Sequence, residues 1–297
     1  MPRGGRSDPG NARFPLMNIL APAKVNLSLR VLRRRENGFH DIESLIVPVS
    51  IFDRLEIERS DAGGIAFTCS DASVPADNTN LVLRAARSFC NAFGLAPDLR
   101  IVLQKEIPHG AGLGGGSSDA ASTLLALDEL FATNAPRATL HRLASDIGSD
   151  VPFFLDRSAA RVDGRGENVM PCELPHTIPL LLIKPPFGVP TPWAYRQWRD
   201  SLEIPGVRYD AQEFAWGSLI NDLERPVFEK YIFLADLKMW LLAQPEVAGA
   251  LMSGSGATVF AVLREKAGAK ALQARIGEEF GNGLWVRFAE TLAPAAQ

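Results

Sequence analysis

The stretch "PHGAGLGGGSSDAA", residues 108–121, contains five glycines, two serines and an aspartate, and then continues as an alanine-rich helical pattern. The preceding segment, "DLRIVLQKEI" (98–107), has the alternation of a strand, and residues 120–131 have helical spacing. A strand, a glycine loop and a helix in that order bring uncovered main-chain N–H groups and a positive helix terminus to one point. The stretch therefore predicts an anion site, and phosphate is its natural ligand.

Other kinds of glycine-rich loop match parts of this stretch. The glycines could serve only a tight turn, with the serines as helix caps. A dinucleotide loop is formally matched by Gly110, Gly112 and Gly115, but Asp128 and Glu129 fall inside a helix instead of at a strand end. A Walker A loop needs a lysine directly after its last glycine, where this chain has a serine. Protein-kinase loops need HRD and DFG motifs, which the sequence lacks.

The N-terminal part predicts antiparallel strands. Residues 18–31 alternate, with Lys24, Asn26, Ser28 and Arg30 on one solvated face. The dipeptide Asn37-Gly38 is a strong hairpin signal, so the chain should return through "IESLIVPVSI" (42–51). A second hairpin is expected over residues 54–70, with two glycines at its tip.

Helices and strands alternate farther along the chain. A helix is expected between a cap at Thr79 or Asn80 and a stop at Gly94, and another over 137–148. Asp150 should lie in a turn between that helix and an apolar strand. The C-terminal half predicts strands at 180–184, 257–263 and 284–290, and helices at 193–200, 213–222, 227–243 and 265–279, an α+β pattern.

Composition excludes several classes of protein. The 297 residues carry a net charge of −3, so a nucleic-acid or acidic-membrane partner is not expected, although the arginines at 33–35 keep a nucleic-acid-binding module as a rival. Three scattered cysteines form no disulfide framework or metal spacing, which favours a cytoplasmic location. Residues 1–17 have no apolar signal region and are expected to form a flexible tail.

Beside the glycine loop, further motifs carry a resemblance: "PAKVNLSLRVLRRRENGFHDIESL" (22–45), "GSDVPFF" (148–154), "PTPWAY" (190–195), "NDLE" (221–224) and "LMSGSGATVFA" (251–261). Together they resemble the small-molecule kinases named for galactokinase, homoserine kinase, mevalonate kinase and phosphomevalonate kinase, the GHMP superfamily. The resemblance spans residues 18–290. It implies an α+β fold of two domains: a ribosomal-protein-S5-like nucleotide-binding domain at 18–165 and a ferredoxin-like α+β domain at 166–292.

The resemblance also implies the chemistry. Lys24 and Asp150 match the catalytic pair of the family, with Asp150 accepting the proton of the attacking hydroxyl and Lys24 orienting that hydroxyl and offsetting developing charge. ATP and Mg²⁺ are the expected cofactors, with the metal held by the phosphates and by Ser117 or Ser118. The expected ATP-binding residues are Lys105, Pro108, His109, Gly110, Ala111, Gly112, Leu113, Gly114, Gly115, Gly116, Ser117, Ser118 and Thr191.

Within the superfamily, the motifs resemble the branch whose acceptor is the 2-hydroxyl of a cytidine-diphosphate-linked methylerythritol, in isoprenoid precursor biosynthesis. The expected acceptor-binding residues are Asn26, Phe39, His40, Pro192, Tyr195, Gly254 and Gly256. Phe39 and Tyr195 would form the two sides of a cytosine slot, with His40 hydrogen-bonding the base. A mevalonate- or homoserine-type kinase is the nearest rival. A monomer or weak homodimer is expected. His109 and Ala111 replace the family's commoner Met and Gly and suit a phosphate loop if their side chains point outward.

Overall fold

The structure is a computed structural model that describes residues 15–36 and 38–293, so Asn37 and residues 1–14 of the predicted tail lie outside the described residues. The first part of the chain forms six strands and four helices. They are β1 (Met17–Arg34), β2 (His40–Arg59), β3 (Ile65–Cys69), α1 (Leu81–Phe93), β4 (Leu99–Gln104), α2 (Gly115–Leu130), α3 (Arg137–Ile147), α4 (Val151–Asp156), β5 (Ala160–Gly164) and β6 (Asn168–Pro171).

The second part of the chain forms six further strands and four further helices. They are β7 (Pro179–Lys184), α5 (Thr191–Gln197), β8 (Gln212–Phe214), β9 (Gly217–Asn221), α6 (Glu224–Lys230), α7 (Ile232–Leu242), β10 (Val247–Met252), β11 (Val259–Leu263), α8 (Ala269–Phe280) and β12 (Trp285–Glu290). The mixture of sheets and helices confirms the predicted α+β class.

Two sheets organise the molecule. The larger has eight strands, with the path β3-β4-β2-β1-β9-β8 and a β5-β6 hairpin attached to β2. The smaller has the order β10-β11-β7-β12. Helices α1 to α4 pack with the large sheet in one apolar cluster, and α5 to α8 pack in a second cluster around the small sheet. A third cluster joins the two sheets and contains Val25 and Leu27 of β1 together with Leu182 and Phe260.

Local sequence signals predict several elements correctly. The alternating segment is β1, which pairs antiparallel with β2. Asn80 caps α1 by accepting a hydrogen bond from the Val82 N–H at 2.8 Å, and Gly94 ends it in the left-handed region at φ 63°. The strand, glycine loop and helix order is confirmed by β4 and α2.

The predicted second hairpin is wrong. Strand β3 does not pair with β2, because β4 lies between them, antiparallel to β2 and parallel to β3. Leu99, Ile101 and Leu103 of β4 are almost fully buried, whereas β3 has no fully buried residue. At the central position the alternate aliphatic side chains of β4 are removed from water, and β3 is left at the edge of the sheet.

Three other predicted elements are wrong in whole or in part. The apolar segment after Asp150 is the helix α4, and its Pro152 lies in the first turn, where proline is tolerated. Residues 213–222 form the strands β8 and β9 instead of a helix, because Gly217, at φ 134°, reverses the chain and β9 pairs parallel with β1. The helix expected at 227–243 is broken at Tyr231 into α6 and α7. Strands β5, β6 and β10 were not foreseen.

The face of β1 that was expected to be solvated is covered at its centre. Lys24 and Asn26 are each only 4% exposed. The β1–β2 register shifts between Pro22 and Ala23 and again between Asn26 and Ser28, and such bulges re-aim side chains. The glycine loop then packs over this segment, with the Lys24 N–H donating to the Leu113 carbonyl oxygen at 2.9 Å.

The large sheet does not stop at residue 165. The β5-β6 hairpin extends it to Pro171, and β8 and β9 from the second half of the chain complete its other side. The division into domains at 18–165 and 166–292 stays a prediction.

Candidate active site

The glycine loop runs from β4 to α2, and Gly110, Gly112 and Gly114 have φ values of 63°, 76° and 70°. These values lie in the left-handed region that glycine enters without strain. Gly114 is the N-cap of α2 and makes no side-chain capping bond. The first N–H groups of a 16-residue helix are therefore available to an anion, as the sequence predicts.

Packing explains part of the glycine content. A Cβ on Gly112 would lie 2.3 Å from the Ser253 carbonyl oxygen, and one on Gly114 would lie 2.8 Å from the Phe154 ring. Gly110 has nothing within 4 Å of such an atom. Of the two departures from the family's loop, His109 is exposed, whereas Ala111 is buried and packs in the cluster between the sheets.

The structure brings Lys24 and Asp150 together. The Lys24 Nζ lies 3.7 Å from Asp150 Oδ2 and donates to Asn26 Oδ1 at 2.5 Å. The Asn26 amide is held in turn, because its Nδ2 donates to the Ser44 hydroxyl at 2.8 Å. Burial lowers the pKa of the Lys24 ammonium, and the Asp150 carboxylate opposes that shift. The Asp150 side chain is 42% exposed, so the carboxylate is accessible while the lysine is not.

Lys105 lies beneath the start of α2 between two buried carboxylates. Its Nζ donates to Asp119 at 2.8 Å and to Asp53. Burial raises the pKa of Asp119 to about 8, with Lys105 opposing and Asp53 adding to the shift. Among the described residues, Asp119 Oδ1 and the buried Ser118 hydroxyl have no hydrogen-bond partner. Lys105 borders the cavity but is directed at its two acidic partners.

Aromatic side chains gather beside Asp150. His40 stacks on Tyr195 with ring centroids 5.5 Å apart, and Trp198 meets His40 edge-on at 6.1 Å. Burial raises the pKa of the Tyr195 phenol, and the Asp150 charge adds to the shift. Burial and Arg34 lower the pKa of His40, so the imidazole is neutral near pH 7.

The ring of Phe39 lies beside Arg165. It is exposed, and the Arg165 guanidinium lies 5.1 Å from the centre of its ring. His40, the residue next to Phe39 in the chain, lies against Tyr195.

A second glycine-serine turn, residues 253–256, faces the glycine loop. The Ser253 hydroxyl donates to the Gly112 carbonyl oxygen at 3.0 Å, and the Thr258 N–H donates to that of Ala111 at 3.2 Å. A Cβ on Gly254 would lie 3.5 Å from Lys24 Nζ. The Thr191 and Ser255 hydroxyls are hydrogen-bonded at 2.8 Å, which ties the start of α5 to this turn.

Most of these groups line one cavity of about 380 Å³. That volume suits a small-molecule ligand. The predicted site residues that line it are Lys24, Asn26, Lys105, Pro108, His109, Gly110, Ala111, Gly112, Gly114, Gly115, Gly116, Ser117, Asp150, Thr191, Tyr195 and Gly254. The predicted residues outside its lining are Phe39, His40, Leu113, Ser118, Pro192 and Gly256.

Other lining residues were not foreseen from the sequence. They include Val74 and Pro75 from the loop after β3, the start of α1 at Asn80 and Leu81, and Asp119. The cluster of Pro, Asp and Asn over residues 71–80 marks a loop, but it does not indicate which site that loop approaches.

No three His, Cys, Asp or Glu side chains in the described ranges are grouped so that they could hold a metal ion. The oxygens near the start of α2 are hard donors of the kind that Mg²⁺ prefers, and both Ser117 and Asp119 line the cavity. A few protein oxygens without a cluster of three metal-ligating side chains suit a metal ion that is bound mainly by the phosphates of a ligand. Within residues 15–36 and 38–293, no helix combines the length and apolar character needed to cross a bilayer.

Comparison with known proteins agrees with this geometry. The model of the GHMP kinases N terminal domain matches residues 80–157, and that of GHMP kinases C terminal matches residues 210–282. A 4-diphosphocytidyl-2-C-methyl-D-erythritol kinase from Methylacidiphilum infernorum is 42% identical over 93% of this chain and 97% of its own. A crystal structure of 4-(cytidine 5'-diphospho)-2C-methyl-D-erythritol kinase has a TM-score of 0.76 at 36% identity, covering 93% of this chain and 100% of its own.

A more distant solved structure shares the fold alone. The homoserine kinase from Cytophaga hutchinsonii has a TM-score of 0.66 at 18% identity, over 99% of this chain and 97% of its own. The fold and the paired loops define a GHMP kinase, as predicted. Within that class, the chain belongs to the 4-diphosphocytidyl-2-C-methyl-D-erythritol kinase family.

Proposed function

We propose that this chain transfers the γ-phosphoryl group of ATP to the 2-hydroxyl of 4-diphosphocytidyl-2-C-methyl-D-erythritol, in the non-mevalonate route to isoprenoid precursors. Family membership supports the reaction and its acceptor. One observation carries the chemistry: Lys24 and Asp150 lie together on the same cavity as the glycine loop. A phosphoryl donor bound at the glycine loop and an acceptor hydroxyl at Asp150 would then lie in the same cavity.

We assign the catalytic work to two side chains. The exposed Asp150 carboxylate accepts the proton of the attacking hydroxyl, and the Lys24 ammonium, held by Asn26, offsets charge on the transferring phosphoryl oxygens. Because the transition state of phosphoryl transfer is loose, alignment and charge stabilisation supply most of the acceleration. The near-complete burial of Lys24 suits this role, since charge interactions are stronger where water is excluded.

The nucleotide phosphates would bind the N–H groups of residues 110–116 and the start of α2. Mg²⁺ would be held by those phosphates and by the Ser117 hydroxyl. When bound, it would neutralise phosphate charge. Thr191 remains a proposed nucleotide contact. Lys105 donates to Asp53 and Asp119, which leaves one of its three ammonium N–H groups for a contact to the adenine or ribose.

The cytosine would bind at the aromatic group beside Asp150. A neutral His40 has one ring nitrogen that donates and one that accepts, which suits hydrogen bonds to a pyrimidine. A base held between Phe39 and Tyr195 would lie next to His40, which stacks on Tyr195. Phe39 has no hydroxyl, so it would contribute to binding of the base by stacking alone.

The test is ADP release with the cytidyl acceptor, compared with mevalonate and homoserine. We expect turnover only with the cytidyl acceptor, and we expect Asp150→Asn to lower kcat about 10²-fold or more while ATP binding is retained. Turnover with mevalonate or homoserine instead would reject the acceptor. An Asp150→Asn variant with unchanged kcat would reject the assigned base. Cytoplasmic location, a monomer or weak homodimer and the lack of a nucleic-acid partner remain predictions.

A further inference from the structure

The motif "NDLE" (221–224), at the end of β9 and the start of α6, lies directly behind the 253–256 turn. Asn221 is 4% exposed and Glu224 is 1% exposed. Glu224 accepts a hydrogen bond from the Met252 N–H at 2.9 Å and pairs with the buried Lys238 at 2.6 Å. The catalytic roles assigned above use neither Asn221 nor Glu224.

The Asn221 side chain makes three hydrogen bonds. Its Nδ2 donates to the carbonyl oxygens of Met252 at 2.7 Å and Gly254 at 2.8 Å, and its Oδ1 accepts from the Leu223 N–H at 2.9 Å. Both donors and the acceptor are thus engaged, which fixes the amide. Asn221 is also paired with Leu29 of β1, the strand that carries Lys24. Through Asn221, the 253–256 turn is therefore fixed relative to β1, the strand that carries Lys24.

The bond to Gly254 orients a peptide that borders the cavity. In a trans peptide the C=O and the following N–H point in opposite directions. Because the Gly254 carbonyl points at Asn221, the Ser255 N–H points away from Asn221. Ser255 lines the cavity. In the described chain, the hydrogen bonds of this turn use the N–H groups of Ser253, Gly256 and Thr258, and the Ser255 N–H has no protein acceptor.

We infer that Asn221 is a positioning residue that aims the Ser255 N–H at a phosphate oxygen of the bound substrates, beside Lys24. The inference rests on the proposed function. An N–H on the cavity that has no protein acceptor can donate to an oxygen of a bound ligand. Donors that are fixed before the reaction stabilise developing charge without reorganisation, and a shift of about 1 Å in such a site can cost about 10²-fold in rate.

Asn221→Asp is the direct test. The aspartate keeps the volume of the side chain and the acceptor for the Leu223 N–H, but it has no N–H to donate to the two carbonyls. Gln212→Glu is a matched control. Gln212 is 5% exposed and binds both main-chain groups of Ala250 on the same strand, two residues before Met252. Both changes replace a buried amide donor by a carboxylate facing a carbonyl of β10.

We expect both variants to lose similar thermal stability. Only Asn221→Asp should lower kcat, by about tenfold or more, with the KM for ATP changed less than about threefold, because the glycine loop keeps its own contacts. Gln212→Glu should keep kcat within about twofold of the wild type. Equal kcat in the two variants overturns the inference. If neither carboxylate variant folds, Asn221→Ala and Gln212→Ala give the same comparison.

Amide hydrogen exchange supplies a readout independent of turnover. In the wild type, a non-hydrolysable ATP analogue with the cytidyl acceptor should slow exchange at Ser255 about tenfold or more, and in Asn221→Asp this protection should be lost. No slowing in the wild type would overturn the inference even in an active enzyme. Failure of the proposed function would show instead as a wild type without turnover on the cytidyl acceptor.

Discussion

Lys24 shows how a functional residue can act against stability. Its ammonium is nearly fully buried, and its nearest carboxylate, on Asp150, is 3.7 Å away, too far for a good hydrogen bond. Burial lowers its pKa, which means that the folded state disfavours the charged form. An apolar side chain of similar length would avoid that cost, so the lysine is retained for chemistry.

We therefore expect Lys24→Met to separate activity from stability. The variant should lose about 10²-fold or more in kcat, because the charge that faces the transferring phosphoryl group is removed. Its stability at pH 7 should stay within about 1–2 kcal/mol of the wild type, since the gain from replacing a buried charge by apolar atoms is offset by the lost hydrogen bond to Asn26 Oδ1. Urea unfolding and steady-state kinetics on the same preparation measure both. A strongly destabilised Lys24→Met protein would contradict this account.

Asp119 makes a pH-dependent contribution to the free energy of unfolding. Because its pKa is raised to about 8, the folded protein holds a proton on this carboxyl over a range in which the unfolded chain has lost it. Folded Asp119 thus binds more protons than unfolded Asp119 between about pH 4 and 8. Stability from this group is present at low pH and is lost as pH rises through that window.

Asp119→Asn should remove this dependence. The stability of the wild type minus that of Asp119→Asn should fall between pH 5 and pH 8, by up to roughly 1.4 kcal/mol per pH unit. Thermal unfolding across that range is the measurement. Asp146→Asn is a control, because Asp146 forms an exposed ion pair with Arg142 and its 69% exposure leaves it largely solvated. Parallel curves for the wild type and Asp119→Asn would show that Asp119 is ionised throughout.

At the scale of elements, the glycine loop combines ligand geometry with packing. Its two ends are fixed by β4 and α2, and its middle touches the 253–256 turn of the other sheet. Gly110 and Gly112 both need positive φ, but only Gly112 is in close contact with main-chain atoms of that turn. Backbone strain and steric contact can therefore be separated by experiment.

Gly110→Ala should cost about 1–2 kcal/mol, the strain of a Cβ in the left-handed region. Gly112→Ala should cost more, because its Cβ would also lie 2.3 Å from the Ser253 carbonyl oxygen and would force the two loops apart. Gly112→Ala should lower kcat about 10²-fold, and by more than Gly110→Ala, since it alone displaces the turn beside Lys24. Denaturant unfolding and turnover distinguish the two variants, and equal losses in both would contradict the proposed contact.

At the scale of the molecule, the two halves of the chain are interlocked. Strand β9 from the second half joins the large sheet beside β1, and the apolar cluster between the sheets takes residues from both halves. Asn221 and Gln212 further tie the large sheet to β10 of the small one. Neither half would bury this surface alone.

We expect the protein to unfold in one cooperative transition. Calorimetry should give a van't Hoff enthalpy equal to the calorimetric enthalpy, because the shared cluster couples the halves. Two resolved transitions would show that the predicted domains at 18–165 and 166–292 unfold independently. A non-hydrolysable ATP analogue should raise the single Tm by mass action without splitting it.

The sequence anticipated much of the site because its signals are local. The capping residue of α1, the glycine loop ahead of α2 and the alternation of β1 all follow from neighbouring residues. The motifs around Lys24, Asp150 and Gly254 could be matched without knowing how the chain folds. The helix predicted at 213–222 is wrong because a short apolar segment fits the period of a helix as well as that of a strand. The parallel pairing of β9 with β1 makes this segment a strand.

The order of most elements, the kinase class and the groups able to bind phosphate follow from the amino-acid sequence. Long-range packing places β3 at an edge and buries Lys24. It also pairs Lys105 with Asp53 and Asp119, and it puts Asn221 behind the 253–256 turn. The physical reason is that burial, strand order and buried polar pairing depend on groups far apart in the chain. Local conformational preference contains no information about them.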